Sequence, residues 1–285
     1  MAKPSSGFKQ TTIKGTNKSD TLAGGAGADR LVGGGGNDKL IAQWNDILNT
    51  PSGYLIYDGG IGVDTLDFSN LARPDGEGIA VDLNSGYIYR QQNETYFGDL
   101  YDPQPTDRLS GAVSGVENLI GTDSDDYFVG GYGDNVFDGR GGNDYLTGRM
   151  GTNTLIGGAG DDHIFLSSQV GMNTGDGGGT AGNDIFYALG NMAGVYSVNH
   201  ITDFDLRDDA SDTQFDKLYL NEQYVLDWAE EDGTLVAYQT MRNGGDPVGK
   251  IVFDGLTMAE LDSIAVYSVD ILGGGIVTPP PEIFF

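Results

Sequence analysis

Asp20, Asp29 and Asp38 stand nine residues apart, and Asp126, Asp144 and Asp162 stand eighteen apart. Each closes a glycine-rich run and precedes a large apolar residue by two positions. A carboxylate on such a turn is a hard oxygen donor beside backbone carbonyls, and that combination suits a hard divalent cation. The chain has no cysteine, so soft thiolate sites and disulfides are excluded. Its 42 acidic residues against 15 Lys and Arg give a formal charge of −27. That field attracts cations and repels nucleic acid and anionic membranes.

The spacing belongs to a nine-residue repeat. Its first position is Gly15, Gly24, Gly33, Gly59, Gly121, Gly130, Gly139, Gly148, Gly157 and Gly179. Position eight is large and apolar in all ten copies: Leu22, Leu31, Leu40, Leu66, Phe128, Phe137, Leu146, Leu155, Ile164 and Phe186. Position six is Asp20, Asp29, Asp38, Asp64, Asp126, Asp144, Asp162 or Asp184, with Asn135 and Asn153 in the other two. Position four is glycine except at Lys18 and Ser124. Glycine admits positive φ and lets carbonyls turn inward around an ion. The last three residues alternate out, in, out, as a short strand does when it buries its middle side chain. One copy is therefore a six-residue turn and a three-residue strand, and two copies make a full coil. Stacked coils predict two parallel sheets around a thin apolar core. A glycine-rich linker would not hold a large apolar residue at the same place in every copy.

Gly24–Val32 (GGAGADRLV), Gly33–Ile41 (GGGGNDKLI), Gly59–Asp67 (GGIGVDTLD) and Gly157–Phe165 (GGAGDDHIF) fully match G-G-x-G-x-D-x-U-x, with U a large apolar residue. This motif resembles that of the RTX (repeats-in-toxin) family. The resemblance implies a parallel β-roll with Ca2+ between its turns. The ligands it implies are the eight position-six aspartates named above and backbone carbonyls of the turns at Gly24, Gly27, Gly33, Gly36, Gly59, Gly62, Gly139, Gly142, Gly157 and Gly160. Successive turns of such a roll lie on opposite edges, so each ion sits between copies n and n+2. In the second block this places Asp126, Asp144 and Asp162 on one edge and Asn135 and Asn153 on the other. A well-occupied calcium row is expected beside the aspartates and a weak or empty one opposite. The 22-residue step from Gly157 to Gly179 leaves the edge of Asp184 open.

The expected fold is all-β: two parallel β-roll blocks joined by a strand insertion and closed by an antiparallel β cap. An arm over 1–14 precedes a first roll over 15–66, inserted strands over 67–120, a second roll over 121–190, a cap over 191–272 and a tail over 273–285. Both blocks open with Gly-Thr (Gly15-Thr16, Gly121-Thr122), which reads as a capping turn with one neighbour. Tyr54–Tyr57, Ile79–Leu83, Tyr87–Tyr89 and Val116–Ile120 read as strands. The polar, aromatic stretch 90–106 reads as an exposed loop. In the cap, His200–Asp205 with Phe215–Leu220 resembles the calcium-linked closure of RTX rolls, where Asp203 and Asp216 would help hold an ion. Thr234–Gln239, Lys250–Phe253 and Ile264–Val269 read as antiparallel strands, and Thr257–Leu261 as a short helix.

The zinc motif H-E-x-x-H, the nucleophile elbow G-x-S-x-G and the phosphate loop are absent. The two histidines, His163 and His200, read as structural. The expectation is a protein that is not an enzyme. Met1–Thr12 shows no apolar signal core, and no stretch approaches a membrane helix. The ending Glu282-Ile283-Phe284-Phe285 resembles the uncleaved signal of type I secretion substrates, so a type I secretion apparatus is an expected partner and the location is extracellular or at a bacterial cell surface. Folding there would be driven by calcium. A surface-layer, matrix or adhesion component leads, assembling with itself as sheet or filament or binding surface polysaccharide. A small membrane-active effector and a carbohydrate-binding or stabilising module are the alternatives.

Overall fold

A computed structural model describes residues 11–24, 29–43, 55–71, 78–90, 109–166, 172–178, 182–188, 196–206, 215–221 and 223–269. Strands are numbered in chain order. One sheet, sheet A, runs β1 (Thr11–Lys14), β3 (Asp29–Gly35), β5 (Leu55–Ile61), β9 (Leu109–Ser114), β8 (Tyr87–Arg90), β7 (Ile79–Asp82), β11 (Tyr127–Val129), β13 (Tyr145–Thr147), β15 (His163–Phe165), β17 (Ile185–Ala188), β19 (Lys217–Asn221), β23 (Ala265–Val269). Sheet B runs β2 (Thr21–Ala23), β4 (Lys39–Ile41), β6 (Thr65–Asp67), β10 (Asn118–Ile120), β12 (Val136–Gly141), β14 (Asn153–Ala159), β16 (Met172–Asp176), β18 (Ser197–Ile201), β22 (Gly249–Phe253), β21 (Thr234–Met241), β20 (Tyr224–Glu231).

In the repeats the chain alternates between the sheets, and strands two steps apart pair in parallel, as the half-coil reading requires. Phe128, Leu146, Ile164, Phe186 and Leu218 stand in one register column of sheet A. Leu22, Leu40, Leu66, Leu119, Phe137 and Leu155 form the matching column of sheet B. All ten position-eight residues are buried, nine of them with no exposed surface. The column then meets Gly175. A Cβ there would press on Leu166, Ile164 and Phe186, which already fill the space.

Both blocks of repeats enter the same two sheets, because β10 pairs in parallel with β6 and with β12. The insertion acts on sheet A alone. There β9 lies parallel to β5, β8 is antiparallel to both β9 and β7, and β7 lies parallel to β11. Sheet A therefore gains two strands that have no counterpart in sheet B.

The closing region departs from expectation in one strand. β20, β21 and β22 form an antiparallel run as expected of the latter two, but β23 lies parallel to β19. The reason is topological: β22 rejoins sheet B parallel to β18, so the chain crosses once more and lays down a further parallel strand in sheet A. The expected helix is a 3-10 turn at Met258–Ser263, opened by a Thr257 N–H that donates to Glu260 Oε2 at 2.8 Å. The arm, the loop beyond Arg90 and the tail fall mostly or wholly outside the described residues, as do Gly27 and Gly179.

Candidate metal centre

Turns that lead from sheet B to sheet A form one edge of the roll, and those from A to B form the other. On the B-to-A edge, each position-six N–H donates to Oδ1 of its successor. Asp126 donates to Asp144 at 2.6 Å, Asp144 to Asp162 at 2.7 Å, Asp162 to Asp184 at 2.8 Å and Asp184 to Asp216 at 2.8 Å. The pairing places Asp184 on the edge of Asp162. The position-one role in its turn falls to Gly177, two residues ahead of the repeat's own spacing: Gly177 faces Asp184 Oδ2 as Gly157 faces Asp162 Oδ2. Asp29 is buried on this edge as well, ahead of the insertion.

The A-to-B edge begins the same way. Asp20 N–H donates to Asp38 Oδ1 at 2.8 Å, and Asp38 N–H to Asp64 Oδ1 at 2.6 Å. Asp64 N–H donates to Glu117 Oε2 at 2.8 Å. From there the row turns from carboxylates to amides. Asn135 N–H donates to Asn153 Oδ1 at 3.0 Å, Asn153 Nδ2 to Asn173 Oδ1 at 3.0 Å and Asn173 Nδ2 to Asn199 Oδ1 at 3.1 Å. All four amides are buried. The carboxylate row thus crosses from one edge to the other at the insertion. Glu117 and Asn173 escape the sequence pattern because neither stands five residues after a glycine, as position six does; Asn199 stands five after Gly194, but its turn has no glycine at position two or four.

Among the described residues, Oδ2 of Asp38, Asp64, Asp144, Asp162 and Asp184 is buried with no hydrogen-bond partner. Two amide oxygens, Asn135 Oδ1 and Gln239 Oε1, are in the same state. A buried ionised oxygen without a partner is strongly unfavourable, so two in one row and three in the other call for cations. The surroundings agree. Each such oxygen faces the α-carbon of the position-one glycine (Gly33, Gly59, Gly139, Gly157, Gly177), and a carbonyl of the next turn lies beside three of them: Gly59 O at Gly33, Gly115 O at Gly59 and Gly157 O at Gly139. A Cβ would fill each cradle. No three acidic or imidazole side chains converge among the described residues, so an ion here must draw on carbonyls, as hard cations do.

Burial sets the electrostatics. It pushes the carboxyls of Asp126 and Asp144 well above the usual range, Asp144 further under the field of Asp126 and Asp162. Burial also raises Asp162 to about 7, Asp184 to about 8 and Asp216 to about 7. On the opposite edge it raises Asp64 and Glu117. Asp20 moves the other way, because the Thr16 hydroxyl and N–H donate to it.

The two Gly-Thr turns differ from most others for a backbone reason. Position two has positive φ at Gly34, Gly60 and Gly158 of the Gly-Gly turns, though not at Gly131, and in the Gly-Arg turns (Arg140, Arg149). β-Branched threonine avoids that region, and Thr16 and Thr122 stay out of it. Instead their N–H groups donate to Oδ2 of Asp20 and Asp126, both at 2.6 Å. Those oxygens are satisfied from within, so each Gly-Thr turn starts a carboxylate row. The expectation that both also lack a neighbour fails at Gly121. Ile79 N–H donates to Asp126 Oδ1 at 2.7 Å, so the inserted β7 covers that turn.

In the closure, Asp203 accepts from Gly177 and Gly178 N–H, both at 2.7 Å, and Asp216 Oδ2 accepts from Asp205 N–H at 2.8 Å. His163 is half-buried with Nδ1 2.9 Å from the Tyr187 hydroxyl, and desolvation pushes its ring down to about 4. His200 pairs with Asp254 at 3.3 Å.

The chain matches the RTX calcium-binding nonapeptide repeat over residues 11–42, 112–146, 120–155 and 147–168. Comparison with curated proteins gives no match. Among solved structures the chain is similar to the extracellular lipase LipA from Serratia marcescens, at 17% identity and a TM-score of 0.26, over 90% of this chain and 40% of the lipase. The chain therefore spans less than half the length of that lipase.

Proposed function

We propose that this chain, which carries RTX calcium-binding repeats, is a secreted protein that stays unfolded where calcium is scarce, folds on calcium outside the cell, and there serves as a non-catalytic surface-layer, matrix or adhesion component. The two carboxylate rows support it most directly. Five buried, unpartnered carboxylate oxygens oppose the folded state until cations arrive, and ion binding then becomes folding energy. Position-six aspartates from Asp38 to Asp184, with carbonyls of the facing glycine turns, would hold Ca2+. Calcium supplies charge neutralisation and cross-links turn to turn; the residues supply the spacing. Asp203 and Asp216 close the row, and transit through a type I secretion apparatus fits a chain that folds only after export.

The assembly part of this reading rests on charge and open edges. Residues 1–19 hold Lys3, Lys9, Lys14 and Lys18 and no acid, whereas the remainder has 11 basic against 42 acidic residues, a net −31. Lys14 and Lys18 are exposed at the end bearing β1 and β2. At the other end the outer strand β20 carries exposed Asp227 and Glu230. Copies this acidic repel side to side, and end-to-end contact brings opposite charges together.

A carbohydrate-binding role is less well supported. Tyr127, Tyr145, Phe165, Tyr187 and Tyr219 line the outside of sheet A with successive centroids 4.1–5.3 Å apart. Their faces are largely spent on one another, and Tyr145 and Phe165 are buried, so this ladder presents no open ring platform to a sugar. Against membrane insertion, no helix among the described residues is long and apolar enough to cross a bilayer. Sedimentation of the purified chain across a calcium titration tests the proposal. Growth in size with calcium, weakened by salt, supports assembly; a monomer at all calcium levels that leaks liposomes or is retained on polysaccharide overturns it.

A further inference from the structure

We infer that the three-residue turn Gly115–Glu117, which lies outside the nine-residue period, completes a further calcium site with Asp64, and that this ion fastens the inserted strands to the first block of repeats. The inference rests on reading the aspartate rows as calcium ligands.

Three observations carry it. Glu117 takes the place of a position-six aspartate, since its Oε2 accepts the Asp64 N–H at 2.8 Å just as Asp64 Oδ1 accepts that of Asp38 at 2.6 Å. The turn is three residues shorter than a repeat turn, and glutamate, one methylene longer than aspartate, still reaches the Asp64 N–H from it. Next, the Gly115 carbonyl lies against the α-carbon of Gly59, where the Gly59 carbonyl lies against Gly33 and the Gly157 carbonyl against Gly139. Finally, Asp64 has no exposed surface, and its Oδ2 points into this cradle without a partner. A hard oxygen pair, one charged and one carbonyl, is thus presented where no repeat motif exists.

The site also closes the row. The Glu117 carbonyl accepts from Asn135 Nδ2 at 2.8 Å, and every later member of this edge is an amide. Glu117 N–H and Asn118 N–H both donate to the Asp64 carbonyl, at 3.1 and 3.0 Å, so the two turns are tightly joined. Strand β9 runs straight into Gly115, and β8 and β7 follow it across sheet A. An ion at this point holds the start of that three-strand run.

The test compares the full chain with Glu117→Gln, which keeps the acceptor for Asp64 N–H and removes the charge. Bound calcium is counted by equilibrium dialysis, and hydrogen exchange is followed strand by strand in excess calcium. The expected result is one ion fewer per chain and at least tenfold faster exchange in β9, with β13 and β15 unchanged. Gly59→Ala, whose Cβ would occupy the cradle, should lose the same ion, and serves if the first variant does not fold. An unchanged ion count in these variants overturns the inference while leaving the rows intact. A wild-type chain that takes up no calcium overturns the rows and the inference together.

Discussion

Asp162 sits mid-row with an ion cradle on either side, and replacing it by asparagine should change stability in opposite directions with and without calcium. Without the ion, the folded chain must hold this carboxyl in a site where burial has raised it from 3.8 to about 7. The sign follows from linkage: the folded form binds the proton more tightly than the unfolded chain, so stability is lost as pH rises from about 4 to about 7. At pH 7 the interval of about three units corresponds to about 4 kcal/mol. Asparagine carries no charge and escapes that cost. Its Oδ1 can still accept the Asp144 N–H, and the opposite edge shows where its Nδ2 goes. Asn153 in the same turn position donates to the Met150 and Gly151 carbonyls at 3.2 and 3.3 Å.

With calcium the balance reverses. An ion held at a hundredfold over its dissociation constant contributes about 2.7 kcal/mol. Asp162 Oδ2 lines the Gly157 cradle, and the same turn gives the Gly157 carbonyl to the Gly139 cradle, so loss of both ions should cost up to about 5 kcal/mol by the same relation. Urea unfolding followed by far-ultraviolet circular dichroism at pH 7, in excess chelator and in excess calcium, reads both arms. The midpoint of Asp162→Asn should rise above wild type in chelator and fall below it in calcium. A shift in the same direction in both buffers would refute the reasoning.

Other outcomes follow from the same geometry. In chelator, lowering the pH from 9 to 5 should increase β-structure, because Asp162, Asp184 and Asp216, raised to about 7, 8 and 7, become neutral; circular dichroism against pH measures it. Asn153→Ala should leave the bound calcium count unchanged, yet destabilise the roll by about 1–3 kcal/mol with or without the ion, since the buried Asn135 N–H loses its acceptor; chemical unfolding in both buffers checks this. Gly157→Ala should weaken calcium binding at least tenfold in a calorimetric titration, because the Cβ would meet Asp162 Oδ2, whereas Gly131→Ala, which faces open space, should not.

Much of this is legible in the repeat itself. Leu31, Leu40, Phe137 and Leu155 are core residues because position eight must face inward, and Asp126, Asp144 and Asp162 share an edge because two copies make a coil. What escaped is whatever departs from the frame. Glu117 plays an aspartate's part with a longer side chain on a shorter turn. Gly177 lies two residues ahead of its expected place, because the turn to Asp184 has grown and a glycine run offers several registers. Asn173 and Asn199 extend the amide row from turns without the motif. Nor does spacing reveal that the carboxylate row changes edge, since the pairings of β9, β8 and β7 decide which turn follows Asp64.

That change of edge has a physical consequence. A roll with aspartates in every turn would carry facing carboxylate columns on both edges of each coil, and each coil would need ions twice. Here the second block is charged on one edge only. Its other edge is zipped by Asn135, Asn153, Asn173 and Asn199, whose bonds exist with or without calcium. The aromatic ladder outside sheet A adds contacts that are equally indifferent to the ion. The second block therefore has a lower electrostatic cost to overcome per coil than a fully acidic roll, while its buried Asp144, Asp162 and Asp184 still make the folded state conditional on the cation. The first block, whose A-to-B edge runs from Asp20 through Asp38 and Asp64 to Glu117 without an amide, has no such spine. Calcium should consequently order the second block at lower concentration than the first. The turn at Glu117, where the carboxylates end and the amides begin, is the boundary between the two regimes.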